Sequence, residues 1–162
     1  MRLARIVWLA TALIVVSALA FSGCLSSGNP EQRTATLVVD FSGPLGGINP
    51  GNTTTWAHDG DEWIADTETG DGRTVWIFSN VTSVSTVLDL LEAAATIGGF
   101  SIETRSYVGM GTFVESIGGV WNELPGRGWQ YDVNGEYATI ACDRYTLADG
   151  DVITWIFADM PW

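Results

Sequence analysis

Lysine is absent from this sequence, histidine occurs once as His58, and cysteine occurs twice, as Cys24 and Cys142. With seven arginines against 19 acids the net charge is −12, and such a surface repels nucleic acid and anionic lipid headgroups. Nucleic-acid binding is therefore not expected. A serine or cysteine nucleophile needs a base within hydrogen-bond reach, and His58 lies far in sequence from Cys142, with no Gly-x-Ser-x-Gly turn to present a serine. The many carboxylates carry little catalytic meaning without a pocket to raise one pKa. A transition-metal centre would want more His or Cys than this chain has. Nothing in the residues indicates an enzyme.

Long hydrophobic runs are also scarce. The one present, Ile6 to Phe21, is sixteen residues long and broken only by Thr11 and Ser17. That is shorter than the ~20 residues a helix needs to cross the hydrocarbon core. Preceded by Arg2 and Arg5 and followed by the small Ser22 and Gly23, it has the layout of a secretory signal peptide over residues 1–23. The segment Phe21-Ser22-Gly23-Cys24 resembles the lipobox of prokaryotic lipoproteins, with Phe21 where Leu is usual. The resemblance implies cleavage before Cys24, a lipid on Cys24, and a protein held at the outer face of the cell membrane. Residues 24–33 then form a tether, small and polar over Leu25-Ser-Ser-Gly-Asn-Pro30. Cleavage leaves 139 residues with a net charge of −14. A lipidated Cys24 leaves Cys142 without a disulfide partner, and its place in the apolar run Ala138 to Cys142 marks it as a buried small hydrophobe.

The remaining chain is long enough for one domain, expected over residues 34–158 with 159–162 as a C-terminal tail. Alternation of Leu37, Val39 and Phe41 predicts a strand from Thr34 to Phe41. The stretch 42–72, rich in Gly, Asp, Asn and Thr but carrying Trp56 and Trp63, reads as a long loop-like excursion. Arg73 to Ser79 is a second strand by its β-branched and aromatic content. Val84, Val87, Leu88, Leu91, Ala94 and Ala95 then recur at helical spacing. They predict a helix near Ser85 to Ile97, with Ser83 or Ser85 as N-cap and Gly98 past its end. Strands follow at Phe100 to Val108, Thr112 to Ile117 and Trp129 to Val133. Asn134-Gly135 predicts a type I′ hairpin joining Trp129–Val133 to Glu136–Cys142. Val152 to Phe157 closes the series as a continuous apolar strand. The fold class is α+β, a β-grasp-like mixed sheet with one helix across it and a long insertion between its first two strands.

Four ordered motifs make a family visible: Ser85-Thr-Val-Leu-Asp-Leu-Leu-Glu-Ala-Ala-Ala95, Ser116-Ile-Gly-Gly-Val-Trp121, Gly128-Trp-Gln-Tyr-Asp-Val-Asn-Gly-Glu136 and Leu147-Ala-Asp-Gly-Asp-Val-Ile-Thr-Trp155. Together they resemble the transcobalamin-like C-terminal domain family, which includes the second domain of the vitamin B12 carriers. The resemblance implies a soluble-ligand-binding β-grasp and cobalamin, or another corrinoid, as a ligand. The carriers hold cobalamin between this domain and a large helical domain, whereas here only Leu25 to Gln32 or so precede the first strand. A partner protein supplying the missing helical domain is thus a further expectation.

Alternation sorts the strand residues into two faces. Trp76 and Phe78 oppose Val75 and Ile77, and Ile153, Trp155 and Phe157 oppose Val152, Thr154 and Ile156. A helix with a Val, Leu and Ala stripe suits the aliphatic face, which leaves the aromatic face to be covered by Trp56 and Trp63. The candidate ligand contacts, within or beside the motifs, are Trp121, Trp129, Tyr131 and Trp155. His58-Asp-Gly-Asp-Glu62 and Asp66-Thr-Glu-Thr-Gly-Asp71 offer hard oxygen ligands for calcium but miss the EF-hand spacing, and a solvated acidic loop is the preferred reading. Asn52-Thr-Thr54 and Asn80-Val-Thr82 match the glycosylation acceptor pattern. The functional expectation is a membrane-tethered module that captures a corrinoid or another flat ring. The alternative is a surface protein-interaction module with no small-molecule ligand.

Overall fold

The computed structural model describes residues 33–42, 51–70 and 72–160. The expected signal peptide, Cys24 and the tether up to residue 32 lie outside the described residues, as do 43–50 and 71 of the excursion and the last two residues of the tail. Among the described residues no helix is long and apolar enough to cross a membrane.

In chain order the elements are β1 (Arg33–Asp40), β2 (Asn52–Asp59), β3 (Glu62–Thr69), β4 (Val75–Val84), α1 (Val87–Gly98), β5 (Ile102–Tyr107), β6 (Gly111–Ile117), β7 (Val120–Trp121), β8 (Arg127–Val133), β9 (Glu136–Tyr137) and β10 (Val152–Asp159). Seven strands make one sheet in the order β3-β2-β4-β1-β10-β8-β9, and β5-β6-β7 make a second, small one. The large sheet is mixed, because β1 runs parallel to β10 and β2 parallel to β4 while the other pairs are antiparallel. The α+β, β-grasp-like arrangement, with a single helix among the described residues, is the one expected.

Two local expectations change. The excursion contains a hairpin, β2 and β3, that extends the sheet beyond β4. Its turn glycine Gly60 has φ 69°, and threonines pair across it, Thr54 Oγ1 lying 3.0 Å from Thr67 Oγ1. A hairpin at a sheet rim needs strand-favouring residues more than apolar ones, and β-branched threonine supplies that. The predicted Asn134-Gly135 turn is present with φ 52° and 82°, yet its second strand ends at Tyr137 instead of Cys142. Beyond Ala138 the chain is drawn away from β8: Leu88 N–H donates to Cys142 O at 3.0 Å, and the Cys142 thiol donates to Thr112 O at 3.3 Å.

The helix begins at Thr86, not Ser83 or Ser85. Asp89 N–H donates to Thr86 Oγ1 at 3.1 Å and Thr86 N–H donates to Asp89 Oδ2 at 2.9 Å, a reciprocal capping box. It ends through Gly98 with Gly99 in the left-handed conformation as C-cap. Gly98 is needed for closeness, since a Cβ there would lie 2.8 Å from the Phe78 ring.

That contact reports a larger correction. The face buried beneath α1 is the aromatic one: Phe78, Ile153, Trp155 and Phe157 are buried while Val152 is exposed and Ile77 and Ile156 half-buried. Trp56 and Trp63 do not cover this face; they continue it outward on β2 and β3, Trp56 stacking on Phe78 at 4.4 Å. Aromatic side chains bury about 150–250 Å² each, more than Val or Ile, so covering them stabilises the fold more. The small Ala94 and Gly98 let the helix come close enough to do so.

Replacing Thr86 by Ala removes one half of the capping box and is expected to cost about 1 kcal/mol in urea denaturation. Glu92→Ala, on the exposed side of the same helix, is expected to change stability by less than ~0.5 kcal/mol.

Candidate functional site

The aromatic face is not covered evenly. Gly118 brings the turn before β7 against it, where a Cβ would meet the Trp76 ring at 2.8 Å. One polar side chain then ties the small sheet to β8: Asn122 Nδ2 donates to Val114 O at 3.0 Å, and Asn122 Oδ1 accepts from Trp129 N–H at 2.8 Å. The Trp129 indole N–H donates to Val120 O at 2.8 Å. Further along, Thr112 donates from N–H and Oγ1 to the two oxygens of Asp143 at 3.0 and 3.1 Å, fastening the segment after β9 to β6. Those hydrogen bonds hold the Asp143 carboxyl below the usual carboxylate range.

Between these fastenings the walls part and leave a cleft of about 620 Å³, within the usual range of ~300–1,000 Å³ for a ligand site. Trp129, Tyr131 and Trp155 are buried and line its floor. The Tyr131 and Trp155 ring centroids are 5.1 Å apart, and the Tyr131 hydroxyl donates to Ile140 O at 2.7 Å. Burial, reinforced by the charges of nearby groups, raises the Tyr131 phenol above its ordinary value. The rim carries apolar side chains that would normally be hidden, among them Leu124 at 67% and Met110 at 62% exposure, with Phe113, Tyr137 and Ile140 also exposed. Single exposed apolar residues need no explanation, but a ring of them around one concavity marks an interaction site. A second hollow of about 480 Å³, which shares Tyr137, Ala138, Thr139 and Ile140 with the first, is lined by none of the tryptophans.

Three of the four expected contact residues, Trp129, Tyr131 and Trp155, therefore meet in one place. Trp121 does not: it is 56% exposed on β7 and outside the cleft lining. Sequence reasoning missed the rim. Its signal was a large apolar residue at an outward strand position, as with Phe113 opposite the buried Thr112 and Val114. Cys142 also lines the cleft, and burial followed by the Asp143 charge pushes its thiol up to about 11, so it stays protonated and packed. His58 sits on β2, tilted over Trp63 at 4.2 Å, while Cys142 follows β9 at the opposite end of the strand order. The acids Asp59, Asp61 and Glu62 surround the β2–β3 turn and Asp66 and Glu68 lie along β3; among the described residues no three His, Cys, Asp or Glu side chains converge for a metal ion. Of the glycosylation candidates, Asn52 is half-buried at the start of β2 and Asn80 is exposed on β4 with φ 54°.

Among the described residues, two buried side-chain polar atoms lack a hydrogen-bond partner, Ser116 Oγ and Trp155 Nε1. The contrast with Trp129, whose indole is satisfied, yields a test: Trp129→Phe is expected to lower stability by about 1 kcal/mol more than Trp155→Phe, because only the former breaks a hydrogen bond. Equal losses in urea denaturation would mean that Trp155 Nε1 has an acceptor after all.

Residues 84–159 match the family described as a domain of unknown function (DUF4430). The match spans all four motifs and every cleft residue except Met160. No curated protein matches the chain. Among solved structures the chain is similar to a candidate metal-binding protein from Ruminococcus gnavus ATCC 29149, at 14% identity and a TM-score of 0.46, over 79% of this chain and 98% of that one. It is also similar to haptocorrin in complex with Cbi, at 18% identity and a TM-score of 0.43, over 73% of this chain and 27% of that one. At these scores neither likeness bears on what this chain binds.

Proposed function

We propose, on the four motifs that resemble the transcobalamin-like C-terminal domain family, that this protein is a membrane-tethered extracytoplasmic binding module whose cleft captures a soluble ligand. The observation that carries the reading is the convergence of Trp129, Tyr131 and Trp155 on the floor of one cleft with an exposed apolar rim. Aromatic walls bury large areas of a ring ligand at small cost in side-chain freedom, and a concave, mostly apolar site is what small-molecule capture uses. A corrinoid such as cobalamin is the first ligand to try, on the family resemblance alone. Titration of the purified protein with cobalamin and with simpler tetrapyrroles, followed by tryptophan fluorescence, is expected to give saturable quenching at micromolar ligand. Ile140→Arg, at the exposed rim, is expected to weaken it at least about tenfold by placing a charge against apolar ligand surface, a difference of ~1.4 kcal/mol or more.

The exposed Leu124 and Met110 favour one other reading, a protein-interaction module whose partner chain closes the cleft from outside. Absence of saturable quenching, together with a partner that co-purifies stably, would replace ligand capture by this reading.

The tether rests on the short apolar run before Cys24 and the small residues beside it. Cys24→Ala is expected to move the protein from the membrane fraction to the soluble one. A variant that remains membrane-bound and uncleaved would show Ile6 to Phe21 to be a transmembrane helix.

A further inference from the structure

The cleft lining has one side chain that is charged at neutral pH, Glu115. Its carboxylate is already matched, Arg105 Nε lying 2.7 Å from Oε1 and Arg105 Nη2 donating to Oε2 at 3.4 Å. No lysine exists anywhere in the chain to supply a cation. The arginines beside the lining in sequence are engaged elsewhere: Arg127 donates to Phe157 O at 2.8 Å and covers the Phe157 ring, and Arg144 donates to Gly109 O at 3.0 Å. Three polar lining residues spend donors internally, while the Trp155 indole N–H on the floor is left without an acceptor. Asn122 Nδ2 donates to Val114 O, Gln130 Nε2 to Ala158 O and Asp159 O, and the Tyr131 hydroxyl to Ile140 O.

An anionic group entering such a site would lose its hydration and gain no counter-ion, and one indole N–H does not replace the water it gives up. A cation fares differently, because the faces of Trp and Tyr attract positive charge. A neutral carbonyl or ring nitrogen carries no such desolvation burden. Resting on the capture reading above, we infer that the cleft seats flat apolar ring surface that is neutral or cationic and excludes carboxylate or phosphate from contact with its lining, so that a larger ring ligand carrying such a group must leave it in solvent, the selection being made by the lining itself. This differs from steering by the net charge of −12, which acts at long range and is screened by salt.

Three tricyclic probes of one shape test it on the purified full chain: N-methylacridinium, anthracene-9-carboxamide and anthracene-9-carboxylate, titrated at low salt and at 1 M salt, where the Debye length is ~3 Å. The first two are expected to bind, and the carboxylate to bind at least about tenfold more weakly than the isosteric amide at both salt concentrations. Thr139→Lys, which adds a cation at an exposed lining position, is expected to raise carboxylate affinity several-fold relative to that of the amide. Equal affinity of amide and carboxylate overturns the selection rule and leaves capture standing. Discrimination that disappears at 1 M salt also overturns it, assigning the effect to the charge of the whole chain. If no tricycle binds while a corrinoid saturates, the ring class proposed here is wrong; if neither binds, both this inference and the capture reading fall.

Discussion

One requirement organises the molecule: a sheet whose inner face is aromatic must be covered. The rings touch in series across the strands. Trp56 stacks on Phe78 and meets Trp76 edge-on at 6.3 Å, Trp76 meets Phe41 at 4.7 Å, Phe41 meets Trp129 at 5.3 Å, and Trp129 meets Phe157 at 5.3 Å. Edge-to-face contacts of this kind add to the stabilisation from area alone. Phe100 adds a further ring over Trp76 and Phe78, and where backbone comes closest to the series the cover is glycine. Gly98 of α1 lies against Phe78 and Gly118 against Trp76, and each position would clash if it carried a Cβ. Gly118 carries the further demand of φ 59°.

Covering so wide a face with so little material has a geometric consequence. A helix of 12 residues is about 18 Å long, whereas seven strands span about 29 Å from first to last at ~4.8 Å apart. The helix packs over β4 and β1, and the small sheet reaches the rest from the side of β8. The cleft lies at the far side of that second cover, above the last rings of the face. Trp155 and Tyr131 are thus at once core residues and cleft floor, buried at 3% and 6% but with cavity beside them. Structure and site share residues, which is why a change there acts on stability and on binding together.

Strands dense in β-branched and aromatic residues, the helix and the Asn-Gly hairpin were legible in the sequence because each carries its own local signal. β1 follows from alternation, β4 from its β-branched and aromatic content, β10 from its continuous apolar run, and α1 from its 3.6-residue stripe. What escaped was decided by context. β2 and β3 have few apolar residues, so nothing in their pattern separates a rim hairpin from an acidic loop. Alternation separates Trp76 and Phe78 from Val75 and Ile77 but does not say which set faces the core, since both are apolar and the choice depends on what the rest of the chain can place over each. The floor of the cleft was partly legible, because Trp129 and Tyr131 flank the hairpin and Trp155 pairs with Tyr131 across β8 and β10. Trp121 sits outside because β7, two residues long, turns it outward on the small sheet. Met110, in the turn after β5, and Leu124, before Pro125, have no periodic neighbours from which a shared cavity could be read.

The walls of the cleft share the packed core and are also tied to each other by polar contacts. Asn122 bridges β6 to β8 through two backbone partners, and Asp143 grips Thr112 through two more hydrogen bonds. Such contacts are directional, and breaking one leaves a partly buried donor or acceptor unpaired. They fix the distance between the walls before any ligand arrives, so a ligand entering the cleft need not order them, and the entropy that ordering would cost is already spent in folding. An apolar seam in the same place would close on itself, since nothing opposes two oily walls in water. Polar fastenings at the two ends of an aromatic floor are therefore what keep this cleft open as well as held.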